Sequence, residues 1–180
     1  MIYVLLGTGF EEIEAIAPVD LLRRAGADVL TVGVNGKIVA GGHGIGVEAD
    51  ITIEQMDLTD LEMIVLPGGL GGVASVRASA AAMDALRFAW ENGKFVAAIC
   101  AGPTVLADLH ITDEKNVVCY PGCEGGMGSA KVDPNAPCVR DGNVITGTSA
   151  GCAIPFGLAL IEALKGKEAA DAIARQIVIR

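Results

Sequence analysis

Cys100 is the residue of this sequence whose type and surroundings best suit covalent chemistry. It lies in the run AAICAGP over residues 97–103, where small residues flank the thiol between an apolar strand pattern and a helical pattern. A sharp turn at such a junction, a nucleophile elbow, exposes the side chain above a helix N-terminus. The helix dipole and unpaired N–H groups would lower the pKa of the thiol. We therefore predict a nucleophilic cysteine; the alternative, favoured by residue type alone, is a buried, inert one.

A second candidate segment, PGGLGG over residues 67–72, follows another apolar strand pattern. A phosphate-binding loop needs a Lys with Ser or Thr, or a helical G-x-G-x-x-G continuation, and this segment has neither. Backbone N–H groups of Gly68 and Gly69 that face an oxyanion fit the pattern better. The segment therefore predicts an oxyanion site rather than a nucleotide site, with simple tight turns as the alternative.

Three carboxylates follow the first strand pattern, in the segment GTGFEEIE over residues 7–14. Glu11, Glu12 and Glu14 either form the acid-rich first turn of a helix, which the helix dipole favours, or place one carboxyl group in the site. The helix-turn interpretation holds for at least two of them. The sequence alone leaves open which one would enter the site.

Histidine and metal chemistry have weaker support. A Cys–His hydrolase needs a histidine near Cys100. His110 lies at the far end of the helix after Cys100 and is expected at the surface, whereas His43 lies in a Gly-rich loop from which it could reach a pocket, including that of a partner subunit. Cys119 and Cys123 have C-x₃-C spacing, but no second pair or nearby His completes a metal site. We predict no metal.

These segments must be positioned by the elements that precede and follow them. Strands are predicted over residues 2–6, 28–33, 47–53, 63–66, 95–99 and 117–119, with a hairpin of 138–140 and 144–146. Helices are predicted through residues 18–24, with Pro18 near the helix start, and over 80–92, 103–109, 153–164 and 167–174. Strand–helix alternation with continuously apolar strands indicates an α/β sandwich whose parallel sheet is covered on both faces. Ligands bind beyond the carboxyl ends of such strands, where all three candidate segments can meet.

Composition limits the partners and the compartment. The chain has 180 residues, 52% hydrophobic and 19% charged, which excludes disorder and predicts a single domain over residues 1–180. A net charge of −9 argues against nucleic acid and against an anionic membrane surface. No apolar run approaches the ~18 residues of a membrane span. Five cysteines in such a chain indicate free thiols in a reducing compartment, so we predict a cytoplasmic protein.

Five segments carry a resemblance to a known family: EEIE (11–14), PVDLLRRAG (18–26), VLPGG (65–69), AAICAGPT (97–104) and ALIEALKGK (159–167). With these segments the chain closely resembles the ThiJ/PfpI superfamily, almost end to end. The nearest branch is that of the parkinsonism-associated deglycase. The resemblance implies a flavodoxin-like three-layer sandwich with a mostly parallel sheet, a nucleophile-elbow cysteine, no cofactor and a homodimer.

The resemblance also implies roles for individual residues. Cys100 matches the family's low-pKa thiolate, and Glu14 matches a buried carboxyl group that is hydrogen-bonded to it. The backbone N–H groups of Gly68, Gly69 and Ala101 match the donors that line the oxyanion site. Together these residues would form a cysteine-dependent catalytic site.

Departures from the family pattern narrow the function. The protease branch has His directly after the nucleophile, where this sequence has Ala101, so protease activity is not expected. Glutamine amidotransferases need a later His, and none follows His110. In the nearest branch a His approaches the cysteine, and the matching residue here is Tyr120. A phenol is a poor base at neutral pH but can donate a hydrogen bond. The branch's Arg before the last long helix is matched by Thr148.

Two functional hypotheses follow. The first is a cofactor-free enzyme that uses Cys100 and Glu14 on small α-oxoaldehydes such as methylglyoxal, or on their adducts, as a glyoxalase or deglycase does; Tyr120 would line the substrate site. The alternative is a non-catalytic redox-sensing or stress-protective protein, in which Cys100 is oxidised to sulfenic and sulfinic acid beside a protonated Glu14. The missing His weakens the first hypothesis more than the second.

Overall fold

A seven-stranded sheet lies at the centre of the described residues, 1–179, of this computed structural model. The strands in chain order are β1 (Ile2–Leu6), β2 (Val29–Gly33), β3 (Ile38–Ala40), β4 (Gly46–Glu48), β5 (Ile51–Thr52), β6 (Met63–Leu66), β7 (Phe95–Ile99), β8 (Asn116–Val117), β9 (Lys131–Val132), β10 (Cys138–Asp141) and β11 (Val144–Gly147). The order across the sheet is β10-β11-β7-β6-β1-β2-β5. Within it β10 is antiparallel to β11, and every other neighbouring pair is parallel. The pairs β3–β4 and β8–β9 form two small additional sheets.

Helices cover both faces of this sheet. They are α1 (Glu12–Arg24), α2 (Leu70–Ala78), α3 (Ala80–Glu91), α4 (Pro103–Asp108), α5 (Ala153–Lys165) and α6 (Lys167–Gln176). One buried apolar cluster joins the sheet to α1, α5 and α6, and a second joins it to α2, α3 and α4. The predicted α/β sandwich with a mostly parallel sheet is confirmed. Among residues 1–179, no helix combines the length and apolar character needed to cross a membrane.

The continuous apolar run of β1 is explained by its central position. Ile2, Val4 and Leu6 belong to the cluster under α1, whereas Tyr3 and Leu5 belong to the cluster on the opposite face. Successive side chains of a strand point to opposite faces, so both sets must be apolar when both faces are covered. Each fully buried aliphatic side chain contributes about 1.5–3 kcal/mol to folding.

Helix α1 differs from the prediction that placed Pro18 near the helix start. The helix begins at Glu12, because the Glu11 side chain caps it by accepting a hydrogen bond from the Glu14 N–H at 2.7 Å. Pro18 therefore lies in the helix interior, where it removes one backbone donor. Gly157 of α5 packs closely against this part of α1, since a Cβ atom there would lie 3.3 Å from the Cα of Pro18.

Two further differences concern the segment after β2. The strand predicted over residues 47–53 is divided into β4 and β5, and β3 was not predicted. The chain bends between β4 and β5 because Asp50 turns toward β2. Its Oδ2 atom accepts hydrogen bonds from the Thr31 N–H and hydroxyl, both at 2.8 Å. As a result β3 and β4 pair with each other and project from the central sheet as a hairpin.

Candidate active site

Cys100 occupies a strained turn between β7 and α4. Its φ angle is +65°, in the left-handed region that non-glycine residues rarely adopt. Such a conformation costs on the order of 1–3 kcal/mol and persists only when neighbouring contacts impose it. Here the Cys100 N–H donates to the Gly147 carbonyl at 2.9 Å, and the Cys100 carbonyl accepts from the Tyr120 N–H at 2.8 Å. The predicted nucleophile-elbow geometry is present.

Glu14 reaches this turn from the first turn of α1. Its side chain is buried, and its Oε2 atom accepts a hydrogen bond from the Gly68 N–H at 2.9 Å. The other oxygen, Oε1, is buried and has no hydrogen-bond partner within residues 1–179. The Cys100 thiol is close enough to affect the pKa of this carboxyl, but it does not approach Oε1 with hydrogen-bond geometry. Protonation of Oε1 would therefore avoid burying a negatively charged oxygen that has no hydrogen-bond partner.

The surroundings of Glu14 favour its protonated form. Burial raises the pKa of the carboxyl to about 7, and the negative charge of Glu11 adds to this rise. Interactions with Cys100, Gly68 and the Ala150 backbone oppose it without cancelling it. A carboxyl with a pKa near neutrality can both accept and donate a proton during turnover.

The sequence and the family resemblance predict a lowered pKa for the Cys100 thiol. This prediction is wrong when the thiol faces an ionised Glu14. Burial, the charge of Glu14 and the contact between the two groups raise the pKa of Cys100 to about 12. The N–H groups of Gly69 and Ala101 lower it by less. Because α4 has only six residues, its dipole cannot outweigh these effects. Cys100 and Glu14 therefore form a coupled pair that carries one negative charge above pH 7.

Glycine is required on the loop that faces this pair. A Cβ atom on Gly68 would lie 2.5 Å from Glu14 Oε2 and 2.6 Å from the Cys100 Cβ. Gly69 has a φ angle of +82°, and a Cβ atom there would lie 2.5 Å from the Gly9 carbonyl oxygen. The two glycines thus allow the loop after β6 to pack closely against the turn at Cys100. This approach brings the Gly69 N–H, together with that of Ala101, to the sulfur.

A cavity of about 460 Å³ opens beside the thiol. Its lining includes Glu11, Gly69, Cys100, Ala101 and Tyr120. Glu14 and Gly68 lie behind this wall rather than in the lining. The structure therefore brings all six predicted site residues together at the carboxyl ends of β1, β6 and β7.

Tyr120 stands at the mouth of the cavity with 49% of its surface exposed. Its backbone is fixed to Cys100, but within residues 1–179 its hydroxyl has no hydrogen-bond partner. Cys123, which ends the turn that begins at Tyr120, also lines the cavity, although no sequence pattern predicted it there.

Neither histidine lines this cavity. His110 is exposed and its Nδ1 lies 3.1 Å from Asp113 Oδ2. His43 Nδ1 lies 2.9 Å from Glu12 Oε2, and the hydrogen bond and charge of Glu12 raise the pKa of His43. Burial alone would raise the pKa of Glu12, but hydrogen bonds from His43 and Ile45 lower it to about 2. The His43 ring is therefore held by its hydrogen bond to Glu12.

One cluster of possible metal ligands is present in the described chain. Ligand atoms of Glu11, Glu12 and His43 lie within 4.8 Å of one another. Both oxygens of Glu12 already accept hydrogen bonds from His43, and Glu11 Oε2 accepts from the Glu14 N–H. The carboxylates are therefore used in capping α1 and holding the loop around His43.

The model of the DJ-1/PfpI family matches residues 1–163. The chain belongs to this family. ThiJ/PfpI is the same superfamily under another name, so the resemblance stated above is confirmed.

Relatives of the DJ-1/PfpI family match over almost the full chain. Protein dj-1beta of Drosophila melanogaster is 36% identical over 98% of this chain and 95% of its own length. The Parkinson disease protein 7 homolog of Danio rerio is 33% identical over 98% and 96%. A protein of Pyrococcus abyssi named as a deglycase is 31% identical over 81% and 87%.

Solved structures of this family share the fold. The crystal structure of Drosophila melanogaster DJ-1beta superposes with a TM-score of 0.95 at 34% identity, covering 99% of this chain and 97% of that one. The structure of oxidized Toxoplasma gondii DJ-1 gives a TM-score of 0.92 at 34% identity, covering 98% and 97%. These similarities confirm the flavodoxin-like architecture.

Proposed function

We propose that this DJ-1/PfpI protein is a cofactor-free enzyme that uses Cys100 to act on α-oxoaldehydes or their adducts, as a glyoxalase or deglycase does. The observation that carries the proposal is the buried Glu14 carboxyl, with a pKa of about 7, placed against a thiol that faces two backbone N–H groups. The Pyrococcus relative named as a deglycase supports the same class of reaction.

The first step forms a carbon–sulfur bond. Glu14 as carboxylate takes the thiol proton of Cys100 while the sulfur attacks the aldehyde carbon. The carbonyl oxygen becomes an oxyanion, which the N–H groups of Gly69 and Ala101 stabilise. Proton transfer within the pair keeps its total charge constant, so the high pKa of the thiol does not prevent attack. Protonated Glu14 then gives this proton to the oxyanion, so the product is a neutral hemithioacetal and Glu14 is again a carboxylate.

The second step moves hydrogen between neighbouring carbons. A base removes the proton from the carbon attached to sulfur while the neighbouring ketone oxygen is protonated, which gives an enediol. The enediol is then protonated at the adjacent carbon and loses the hydroxyl proton of the carbon attached to sulfur, which gives a thioester. Glu14 suits this exchange because its carboxyl has a pKa of about 7, so it can both accept and donate a proton near neutral pH. Water then hydrolyses the thioester, releasing a 2-hydroxy acid and restoring the thiol. Substrate plus water gives product, so no electron acceptor is needed.

The competing hypothesis is redox sensing through Cys100. A relative from Toxoplasma gondii has been solved in an oxidized form. In this chain one molecule of hydrogen peroxide would convert the thiol to sulfenic acid and a second would convert that to sulfinic acid, with water released each time. A protonated Glu14 Oε1 would donate a hydrogen bond to the sulfinate.

The assembly we propose is a homodimer. Ile13 and Ile16 of α1 and Ile45, beside β4, line one open apolar groove and are 57%, 42% and 59% exposed. Ile38 of β3, on the same hairpin, is 79% exposed. Monomeric proteins rarely expose a contiguous apolar patch of this kind, and a two-fold axis pairs such a patch with its own copy. We place this dimer in the cytoplasm, where the five free thiols suit a reducing compartment.

The deciding experiment is incubation with methylglyoxal while lactate production and Cys100 oxidation are followed. We expect lactate formation that Cys100→Ser abolishes and that Glu14→Gln lowers by about 10²–10⁴-fold, the usual loss for a general acid–base. Cys152→Ser is the matched control because Cys152 lies outside the cavity. Absence of lactate from the natural protein, with Cys100 oxidised by mild peroxide, would favour the redox hypothesis.

A further inference from the structure

Part of the wall of the cavity beside Cys100 is apolar. Leu70, the first residue of α2, lines it with 78% of its surface exposed, and Tyr120 faces it from the segment fixed to the elbow. Pro121 continues this wall. Such large exposed apolar side chains beside a nucleophile are surfaces that a bound ligand would cover.

The wall is placed where it can contact the substituent of a reacting aldehyde. Leu70 directly follows Gly69, whose N–H faces the sulfur. Tyr120 donates its backbone N–H to the Cys100 carbonyl at 2.8 Å. An aldehyde whose oxygen lies at the Gly69 and Ala101 donors therefore occupies the cavity that Leu70 and Tyr120 line.

The size and charge of the cavity restrict what enters. A volume of about 460 Å³ lies within the range of sites for multi-ring ligands and exceeds what a three-carbon aldehyde occupies. The described lining contains no Lys, Arg or His, while Glu11 contributes a carboxylate and the Cys100–Glu14 pair a further negative charge. An anionic carbonyl compound would be repelled without a cation to receive it.

We propose that the preferred substrates are neutral α-oxoaldehydes bearing an aryl or branched alkyl group, which packs between Leu70 and Tyr120. Methylglyoxal is a poorer substrate, and carboxylated aldehydes such as glyoxylate are excluded. This inference rests on the proposed function, since it specifies the substrate of the same thiol. Aromatic stacking on Tyr120 and burial of Leu70 supply the preference.

The test compares phenylglyoxal, methylglyoxal and glyoxylate as substrates of the natural protein and of Leu70→Ser. We expect kcat/KM for phenylglyoxal to exceed that for methylglyoxal by about tenfold, the order expected for added apolar contact. Leu70→Ser should lower the phenylglyoxal value about fivefold and change the methylglyoxal value less than about twofold, because Leu70 is only partly enclosed. Phe88→Ser, on α3 and outside the cavity, is the matched control.

Protection of Cys100 from iodoacetamide, measured by peptide mapping, provides a readout that does not need turnover. Phenylglyoxal should protect at about one tenth of the methylglyoxal concentration, and glyoxylate should not protect. Equal protection by all three compounds, or an equal effect of Phe88→Ser and Leu70→Ser, would overturn the inference. If the protection order holds but no 2-hydroxy acid is formed from any aldehyde, the proposed function fails while the preference of the cavity stands.

Discussion

Glu14 Oε2 accepts a hydrogen bond from the backbone N–H of Gly68 at 2.9 Å, although 54 positions separate the two residues. This bond joins the first turn of α1 to the loop after β6. Through it the carboxyl is fixed on one side of the Cys100 sulfur while the Gly69 N–H is fixed on another. The distance between Glu14, the general acid–base, and the Gly69 N–H, an oxyanion donor, therefore depends on this contact at Gly68, where a side chain would not fit.

Gly68→Ala tests this dependence. The added methyl group would lie 2.5 Å from Glu14 Oε2, so either the loop or α1 must shift. We expect a loss of about 1–3 kcal/mol in the free energy of unfolding, typical of overpacking. Turnover should fall by about 10²-fold, as a displacement near 1 Å can cause. Urea unfolding and kcat/KM measure the two effects.

Gly125→Ala is the control for that change, because a Cβ atom at Gly125 meets nothing within 4 Å and the residue has no positive φ. It should leave both quantities unchanged. A Gly68→Ala protein with natural turnover would contradict the proposed geometry.

The shared charge of Cys100 and Glu14 predicts an unusual pH dependence of thiol alkylation. The pair loses one proton near pH 7 and the second near pH 12. Below pH 7 the thiolate fraction rises about tenfold per pH unit, and between the two values it stays constant because the pair holds one proton throughout. The iodoacetamide rate at Cys100 should therefore rise to about pH 7 and then level off.

Glu14→Gln removes the carboxyl group that titrates together with the Cys100 thiol. The alkylation rate at Cys100 should then keep rising above pH 7, because the thiol ionises on its own. Cys119 and Cys138 serve as internal controls, since burial raises the pKa of their thiols to about 11 and about 12. Peptide mapping between pH 5.5 and 9 separates the sites, and a natural protein without a break near pH 7 would refute the coupling.

The sequence was sufficient to locate the site but not to describe its electrostatics. Small residues around Cys100 and the apolar strand before it signalled the elbow, because both are local properties. The pKa of that thiol depends on burial and on Glu14, which only the folded chain brings close. A local argument from the helix dipole therefore gave the wrong direction.

Helix α2 was missed for a related reason. Gly71 and Gly72 have low helix propensity, so the pattern favoured a loop. In the structure, however, a Cβ on Gly72 would lie 2.7 Å from the Cα of Phe10, and one on Gly71 would lie 3.1 Å from the Cα of Gly9. These glycines are present because α2 packs directly against the backbone after β1. Tertiary packing here outweighs local preference.

The proposed homodimer predicts that one charge on its apolar face prevents association. Ile45→Asp would bury an unpaired carboxylate in the interface formed with Ile13 and Ile16, which is costly. We expect sedimentation of the natural protein as a dimer at micromolar concentration and of Ile45→Asp as a monomer. Phe88→Asp, on the opposite helical layer, should remain dimeric. A natural protein that sediments as a monomer would exclude this assembly.

Tyr120 supplies the last prediction, because it stands where the nearest family branch has a histidine. Its hydroxyl has no partner within residues 1–179, so Tyr120→Phe should change turnover by less than about tenfold, or 1.4 kcal/mol.

Tyr120→His places an imidazole at a position that is 49% exposed, where its pKa should stay near the ordinary value of about 6.5. The neutral ring is the base, so turnover of this variant should rise with pH through about 6.5 in addition to the rise near pH 7 that Glu14 gives all three proteins. The measurement is the pH dependence of methylglyoxal consumption by the three proteins side by side. If the natural protein shows no turnover and Tyr120→His creates it, Glu14 alone is an insufficient base, and the natural site is suited to oxidation of Cys100 rather than to turnover.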